Sequence, residues 1–340
     1  MNPSNWTFAG IIVMTLLFIM RPGCDLPEPG SVRDYYPSNQ TEAPTVFQND
    51  PQYRNGGLVQ QSSSNFFAPS NVIIGSFNIQ TFGPTKASRQ HVMSRLVDIA
   101  RRYDLLAIQE LRNEDQSVIQ EFAKQINADG SRYSYIVGRR QGHTQSKEQY
   151  AFLFDAAKFR LISPNPYDVM DPRGTMHRPP LIASFKCTQA PNDDGFSFTA
   201  INLHVDPDIV DQELAALRAF MPAVFEHHRG EDDFIILGDF NDSEKGIQQF
   251  QFLQNQLPLV RSNWQTKIRT RRSIDNIIID GARTAEYRNQ SGVLNLQQQY
   301  QLTAEQALEI SDHHPVWGVF STVESQDRIV QDNRQRQAAR

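Results

Sequence analysis

The chain has 340 residues, a formal charge of −5 and 39% hydrophobic residues, enough to bury a large core over one or two domains. Its 18 Gly and 19 Pro are close to soluble globular averages, so the composition excludes collagen, wholesale disorder and a multi-span membrane protein. The net acidity excludes a protein that coats nucleic acid by charge alone. A polyanionic substrate would have to be bound locally.

Residues 1–24 are predicted to be a signal peptide or a membrane anchor. The run WTFAGIIVMTLLFIM at 6–20 carries no charge, but it is shorter than the roughly 20 residues that a membrane-spanning helix needs. We therefore expect a secreted or cell-envelope-associated protein whose membrane contact, if it makes one, is through this segment only. An uncleaved anchor or a buried helix is the alternative.

Two polar segments flank the part of the chain that we expect to fold. Residues 25–70 are rich in Pro, Ser, Asn, Gln and Gly without a sustained apolar period, which predicts a disordered linker. Residues 321–340 end in QDNRQRQAAR and are predicted to be a polar tail. The folded domain is therefore predicted to span residues 71–320.

Short β-rich runs alternate with helical runs in this domain. Strands are predicted, in chain order, at 71–79, 104–111, 133–138, 150–155, 180–186, 196–204, 233–240, 273–280 and 314–320. Helices are predicted at 88–102, 117–128 and 211–228, where apolar residues recur at helical spacing. Strands joined by both hairpins and helical crossovers favour an α/β sandwich of mixed sheets over a doubly wound parallel sheet.

Polar side chains stand repeatedly where an apolar strand begins or ends. They are Asn78, Glu110, His204, Asp239, Asn241, Asp275, Asp312 and His313. Each alone could be a turn former, a cap or a core histidine, but α/β folds place their sites at strand ends. Oxygen ligands without a zinc-type Cys or His pattern favour Mg²⁺, with Mn²⁺ or Ca²⁺ as alternatives. Two histidines could act as general base and general acid, which points to phosphoryl or phosphodiester hydrolysis.

Seven motifs occur in a fixed order between residues 71 and 320. They are GSFNIQTFG, RRYDLLAIQELR, SKEQYAFLF, NLHVDP, ILGDFND, SIDNIIID and SDHHPV. Together they resemble the endonuclease/exonuclease/phosphatase superfamily, with deoxyribonuclease I as the nearest likeness. The resemblance implies a four-layer sandwich, in which two mixed β-sheets pack face to face between outer helices and the site lies at one edge of the sheets.

The resemblance also implies a role for most of the polar residues at the strand ends. Glu110 and Asn78 would bind the catalytic divalent ion, with Asp312 nearby. Asp239 and Asn241 would contact the scissile phosphate and the attacking water.

Each of the two histidines would have an acidic partner under the same resemblance. His204 would pair with Glu148, and His313 would pair with Asp275. A carboxylate that accepts a ring N–H fixes the tautomer and raises the basicity of the imidazole. One histidine could then take a proton from water while the other protonates the departing 3′ oxygen, and the sequence leaves open which does which.

Residues for binding DNA are implied by the resemblance at three positions and suggested at a fourth by this chain's own basic residues. Arg178 and Thr270 would contact phosphate, Arg112 would reach the minor groove, and Arg271 belongs to the cationic stretch TKIRTRR. Where the family has a tyrosine and an arginine that help to bind the duplex, this chain has Ser146 and Gln80. The cationic stretch could offset that loss through phosphate contacts.

The family's stabilising disulfide is also missing, because Glu244 and Arg272 stand where its cysteines would be. We expect these two side chains to form an ion pair instead, worth at most about 1 kcal/mol if exposed.

The function predicted from these residues is a monomeric, Mg²⁺-dependent endonuclease that cleaves DNA without strong sequence preference and leaves 5′-phosphate ends. A phosphatase or lipid phosphodiesterase of the same superfamily is the alternative within the enzyme class. A non-catalytic binding module with the same fold is the alternative outside it, although no histidine or metal ligand has been lost.

Overall fold

The computed structural model describes residues 45–47, 71–143 and 147–325. The predicted leader, Ser146, residues 326–340 and all of the predicted linker except three residues lie outside this range. Those three residues, Thr45–Phe47, form a short strand that pairs with the folded domain. At the other boundary, regular structure continues through Ser321, one residue into the predicted tail. The limits of the leader and linker stay a prediction.

Alternating and continuous apolar runs form the strands of the described residues. In chain order these are β1 (Thr45–Phe47), β2 (Asn71–Phe82), β3 (Leu105–Leu111), β4 (Tyr133–Val137), β5 (Gln149–Asp155), β6 (Phe159–Leu161), β7 (Tyr167–Asp168), β8 (Leu181–Cys187), β9 (Ser197–His204), β10 (Phe234–Asp239), β11 (Gln256–Pro258), β12 (Asp275–Asp280), β13 (Tyr287–Val293) and β14 (Val316–Ser321). Every strand predicted from the sequence is present. The short strands β1, β6, β7 and β11 and the mostly polar β13 were not predicted.

The helices are mostly amphipathic and cover the outer faces of the strands. They are α1 (Pro84–Ala87), α2 (Gln90–Ala100), α3 (Ser117–Ile126), α4 (Val210–His227), α5 (Glu244–Ile247), α6 (Leu296–Tyr300) and α7 (Ala304–Ile310). The three predicted helices correspond to α2, α3 and α4. Within residues 45–47, 71–143 and 147–325, no helix combines the length and the apolar character that crossing a membrane requires.

The strands form two mixed sheets. The first has the order β1-β4-β5-β3-β2-β14-β13, and the second has the order β11-β12-β10-β9-β8-β6, with β7 also pairing with β8. Each sheet contains one parallel pair, β2 with β3 and β9 with β10, and its other pairs are antiparallel. The parallel pairs matter because they bring the carboxyl ends of neighbouring strands to the same edge.

Three apolar clusters make the layers. One lies between the sheets, where for example the rings of Phe152 and Phe185 meet edge to face with centroids 5.6 Å apart. A second packs α2, α3 and α7 on the first sheet, and a third packs α4 on the second. The predicted four-layer sandwich of mixed sheets between helices is therefore confirmed.

A buried amide network also joins the sheets behind the site. Nε2 of Gln109 on β3 donates to Oδ1 of Asn202 on β9 at 2.7 Å, and Nδ2 of Asn202 donates back to the Ile108 carbonyl at 3.1 Å. Because unpaired buried amides are costly, this network fixes the register of the two sheets relative to each other.

Candidate active site

The strand ends that carry the predicted residues converge at one edge of the sandwich. In the second sheet, Asp239 at the end of β10 lies opposite His204 on β9 and opposite Asp275 on β12 in the strand register. In the first sheet, the parallel pair β2 and β3 carries Asn78 and Glu110 to the same edge. Glu148 lies directly before β5 and His313 lies shortly before β14, and both strands run antiparallel to their neighbours in that pair.

Bulges re-aim the polar residues of the first sheet. The register of β3 against β5 shifts between Ile108 and Leu111, and Glu110 has a φ of 60° inside that shift. Gln80 and Thr81 also have positive φ, in the bulge of β2. A left-handed conformation at such residues costs on the order of 1–3 kcal/mol each and concentrates at functional sites. The Thr81 amide donates to Oε2 of Glu110 at 2.8 Å, so one bulge orients the other.

The GDFN segment needs its glycine because the neighbouring strand β9 leaves no room for a side chain at that position. Gly238 has a φ of 150°, and a Cβ there would lie 2.0 Å from the Leu203 carbonyl oxygen. Glycine therefore allows β10 to pack closely against β9 just before the chain turns at Asp239. Oδ1 of Asp239 accepts from the Asn241 amide at 2.9 Å in this turn. Asn241 itself has a φ of 50°, and its Nδ2 donates to the Val205 carbonyl at 2.8 Å.

The first histidine is held in a buried charged group. Nδ1 of His204 lies 3.2 Å from Oε1 of Glu148, and the same oxygen is 2.6 Å from Nε of Arg178. The Tyr150 hydroxyl accepts from the His204 amide at 3.0 Å and donates to the Arg178 carbonyl at 3.0 Å. The predicted pair of His204 and Glu148 is therefore present. Tyr150, which the sequence analysis did not single out, links the main chains of His204 and Arg178 through its hydroxyl.

Opposing effects set the pKa values in this group. Burial works to raise the pKa of Glu148, but His204, Arg178 and Arg112 outweigh it and the pKa is lowered. Burial works to lower the pKa of His204, but Glu148 and Asp239 outweigh it and the pKa is raised. The pair therefore favours a charged imidazolium beside a charged carboxylate.

The second histidine has a closer partner. Nδ1 of His313 lies 2.8 Å and 3.1 Å from the two carboxyl oxygens of Asp275, and both side chains are 2% exposed. Although burial works to lower the pKa of His313, the Asp275 and Asp239 carboxylates raise it to about 9. Burial, with the charge of Asp239 adding to it, raises the pKa of Asp275 against the pull of His313. The predicted pair of His313 and Asp275 is present.

Asp239 connects the two histidines. Its Oδ2 lies 3.7 Å from Nε2 of His204 and 3.5 Å from Nε2 of His313, and it accepts from Nδ2 of Asn78 at 3.1 Å. With each Nδ1 facing a carboxylate, both Nε2 atoms face the same small space. Residues far apart in the sequence therefore form one pocket with two imidazoles on either side of a carboxylate.

Comparison with known proteins agrees with this geometry. The sequence model of the Endonuclease/Exonuclease/phosphatase family matches residues 75–313. The chain belongs to this family. Membership, together with relatives named as deoxyribonucleases, confirms the predicted enzyme class, a hydrolase acting on phosphodiester bonds.

Individual relatives within the family are distant. Deoxyribonuclease gamma of Rattus norvegicus is 28% identical over 71% of this chain and 82% of its own length. Deoxyribonuclease-1 of the same species is 30% identical over 72% of this chain and 89% of its own. The crystal structure of an endonuclease/exonuclease/phosphatase family protein from Bacteroides thetaiotaomicron superposes with a TM-score of 0.55, at 17% identity, over 75% of this chain and 99% of that one.

The oxygen atoms at the site fit a divalent ion of the kind used by hydrolases of this family. Glu110, Glu148 and His204 offer ligand atoms within 4.8 Å of one another. Oε2 of Glu148 and Oδ1 of Asp312 are buried and have no hydrogen-bond partner, although a buried carboxylate oxygen normally has one. The donor set of carboxylates and amides suits a hard cation. In the structure Glu110 is grouped with Glu148 and His204, while Asp312 lies beside His313 and Lys267.

Two lysines lie near the site: Lys267, which belongs to the cationic stretch TKIRTRR noted in the sequence, and Lys86, which the sequence analysis did not single out. Nζ of Lys267 lies 2.5 Å from Oδ2 of Asp312 and 2.9 Å from Nε2 of His313. Lys86 donates to the carbonyls of Ile79, Gln80 and Ile310. Burial lowers the pKa of Lys86 to about 8, although the Glu110 and Asp312 carboxylates work against this. The expectation for Lys267 was a phosphate contact, and the structure adds its contacts with Asp312 and His313.

The residues predicted to bind DNA divide into two groups. Arg178 is buried at the pocket, and Nη2 of Arg112 lies 3.0 Å from Oε2 of Glu110 and 4.0 Å from Oε2 of Glu148. Thr270 and Arg271 are instead exposed on the loop between Ile268 and Ser273. This exposure suits contacts with a substrate that extends beyond the pocket.

The predicted ion pair between Glu244 and Arg272 is wrong. Oε2 of Glu244 accepts from the amide and hydroxyl of Ser262, whereas Arg272 donates to the Asn241 carbonyl at 3.0 Å. Each side chain makes its hydrogen bonds with a different segment and not with its predicted partner. The segment before β12 is therefore tied to the GDFN turn by a hydrogen bond to the main chain.

Proposed function

We propose that this hydrolase is a Mg²⁺-dependent endonuclease that cleaves DNA phosphodiesters without strong sequence preference and leaves 5′-phosphate ends. The observation that carries the proposal is the placement of two carboxylate-supported imidazoles around Oδ2 of Asp239. Relatives named as deoxyribonucleases, 28% and 30% identical over most of their length, support DNA as the substrate.

Proton transfer would be the work of the two imidazoles. Glu148 and Asp275 face the Nδ1 atoms of His204 and His313, so each Nε2 is directed toward the substrate. One Nε2 would take the proton of the attacking water, and the other would protonate the departing 3′ oxygen. Positioned groups of this kind each contribute about 10²–10⁴-fold to the rate.

Charge on the phosphate would be balanced by groups on both sides of the pocket. Glu110, Asn78 and Asp312 would hold the divalent ion, which when bound supplies Lewis acid stabilisation of charge on the phosphoryl oxygens. Arg178, which lies beside Glu148, would stabilise the same phosphoryl charge with its planar guanidinium cation. Thr270 and Arg271 would contact phosphates farther along the strand.

We also propose that the enzyme acts as a monomer outside the cytoplasm or at the cell envelope. The uncharged run at 6–20 supports the part of this proposal that concerns export. Cell fractionation followed by N-terminal sequencing would test export: we expect the protein outside the cytoplasm or at the envelope, and recovery only from the cytoplasm with a start at Met1 would contradict export.

The decisive test is nicking of supercoiled plasmid by the full chain at increasing Mg²⁺, Mn²⁺ and Ca²⁺. We expect Mg²⁺-dependent nicking that chelation abolishes, and nicks that DNA ligase reseals because the ends carry 5′-phosphates. His204→Ala and His313→Ala should each abolish turnover while binding of the plasmid persists. His91→Ala, which removes an exposed imidazole paired with Glu309, is the matched control and should nick normally.

Two results would contradict the proposal. Full activity in either histidine variant would refute the proton-transfer roles. Supercoiled plasmid left intact while the enzyme releases phosphate from phosphoinositides, or choline phosphate from sphingomyelin, would favour the lipid phosphodiesterase or phosphatase instead.

A further inference from the structure

His177 joins the two segments that carry Arg178 and His204. It directly precedes Arg178, and its Nδ1 forms a hydrogen bond with Oδ2 of Asp206. Asp206 lies two residues after His204, in the loop that follows β9. In this bond the ring nitrogen donates, because an ionised carboxylate can only accept. Asp206 therefore fixes the tautomer of His177 and ties the two segments together.

The same ring also contacts the loop that leads to Glu148. The rings of His177 and His143 are tilted by 31° to each other, with their centroids 4.7 Å apart. His143 lies two residues after Gln141, and the main chains of Gln141 and Glu148 exchange two hydrogen bonds, of 2.8 and 2.9 Å. His177 therefore contacts or belongs to three segments, and each of them carries one member of the charged group around the first histidine.

Glu213 on α4 holds two of these segments from the protein interior. This glutamate is 0% exposed. Its Oε1 accepts from the His177 amide at 2.5 Å, and its Oε2 accepts from the Asp206 amide at 2.7 Å. Movement of either segment would break a hydrogen bond to a buried carboxylate, which is costly. Glu213, His177 and Asp206 therefore anchor both segments to α4.

Arg178 depends on such contacts because residues 169–180 form no helix or strand. Its side chain is 10% exposed, and its Nε lies 2.6 Å from Oε1 of Glu148. Burial works to lower the pKa of Arg178, but neighbouring negative charges, those of Glu213 and Asp206 among them, outweigh burial and the pKa is raised. The two carboxylates that hold the main chain therefore also act on the guanidinium.

We propose that His177 is a positioning residue, which holds the Arg178 guanidinium where it would contact the scissile phosphate. This inference rests on the proposed role of Arg178 in the reaction. His177 itself acts from behind the pocket, because its Nδ1 is bonded to Asp206 and its Nε2 is buried. A group that stabilises a transition state must be held to within a fraction of an ångström. In a segment without regular structure, side-chain hydrogen bonds have to provide that precision.

Two substitutions separate the hydrogen bond of His177 from its bulk. His177→Phe keeps a ring against His143 but removes the bond to Asp206. His177→Asn places an amide N–H donor near the position of Nδ1 and keeps that bond. We expect His177→Phe to lower kcat/KM for plasmid nicking by about tenfold, because a displaced guanidinium supports the reaction poorly. His177→Asn should recover most of the wild-type kcat/KM.

The Arg178→Met background shows whether His177 acts through Arg178. In that background His177→Phe should cause no further loss of kcat/KM, because the group that it positions is already absent. A purely structural role would instead lower kcat/KM equally in both backgrounds, and that result would overturn the inference.

The position of Arg178 can also be measured without any substrate. NMR of the protein labelled with ¹⁵N-arginine would follow the Arg178 Nε–H signal, which is assigned by its absence from the Arg178→Met spectrum. Exchange of this proton with water should be slow in the wild type and in His177→Asn, and about tenfold faster in His177→Phe. His91→Phe, at an exposed position, is the matched control and should leave the exchange rate unchanged.

Asp206→Ala removes the acceptor and provides a second variant in case His177→Phe does not fold, and the same faster exchange is expected. Unchanged exchange in the folded variant would overturn the inference. A wild-type protein that nicks no plasmid would contradict the proposed function, whereas the NMR measurement would still show whether His177 holds Arg178 in place.

Discussion

Nζ of Lys267 lies 2.9 Å from Nε2 of His313, the ring nitrogen that faces the pocket. The lysine also contacts Oδ2 of Asp312 at 2.5 Å. A cation at this position opposes protonation of the imidazole, whereas Asp275 and Asp239 favour it. Lys267 therefore moderates an imidazole that its carboxylate neighbours would otherwise make still more basic.

Replacing Lys267 with Met should raise the pKa of His313 above its value of about 9, by about one unit. The reason is that the opposing positive charge is removed while both carboxylates stay. Titration of the His313 ring by NMR would measure the change. Lys267→Arg, which keeps the charge, should leave the titration nearly unchanged, and an equal shift in both variants would show that the lysine acts through packing instead of charge.

The two acidic partners should differ in their kinetic effects. Asp275 contacts the ring of His313, so Asp275→Asn should lower kcat by about 10²–10⁴-fold with little change in KM. Glu148 contacts both His204 and Arg178, so Glu148→Gln should lower kcat and also raise KM. Steady-state kinetics on a short DNA duplex would separate the two parameters. Identical kinetic signatures for the two variants would contradict this division of roles.

Much of the site could be predicted because the polar residues interrupt otherwise apolar strands. Strands buried on both faces, such as β10, have nearly continuous apolar sequences, so Asp239 and His204 stand out at their ends. Both histidine pairs predicted from the motifs are formed. Their convergence follows from the parallel pairs at the centre of each sheet.

Features built from exposed or flexible side chains were less predictable. Strand β13 and helix α6 are mostly polar because they lie at the surface, and they carry little apolar periodicity. Lys86 and Lys267 reach the site from a short helix and a loop, and a long side chain's direction is not encoded in local sequence. Glu244 and Arg272 bond Ser262 and the Asn241 carbonyl, in other segments of the chain, for the same reason.

The ion pair between Arg178 and Glu148 should contribute strongly to stability. Nε of Arg178 lies 2.6 Å from Oε1 of Glu148, and the two side chains are 10% and 2% exposed. Arg178→Met should lower the free energy of unfolding by about 3 kcal/mol, because it leaves a buried carboxylate with less compensation. Urea denaturation would measure this.

A double-mutant cycle would show whether the loss comes from the pair itself. The variant that combines Arg178→Met with Glu148→Gln should lose less stability than the sum of the single losses, since no buried charge is left without its cation. Strict additivity would indicate that the two side chains act independently.

Buried His314 should make the protein less stable in mild acid. Its Nδ1 accepts from the Leu296 amide at 3.2 Å, and burial, with the neighbouring His313 adding to it, lowers its pKa to about 4 from the ordinary value of 6.5. A base with a depressed pKa in the folded state contributes stability that is present above pH 6.5. That stability is lost as the pH falls toward 4, because the unfolded chain takes up the proton first.

His314→Asn retains an acceptor for the Leu296 amide and removes the titrating ring. Between pH 6.5 and 4 its free energy of unfolding should fall less steeply than that of the wild type, by about 1.4 kcal/mol per pH unit. Urea denaturation at a series of pH values would give both slopes. His91→Asn, at an exposed position, should keep the wild-type slope, and a His314→Asn slope equal to that of the wild type would show that His314 does not titrate differently in the folded state.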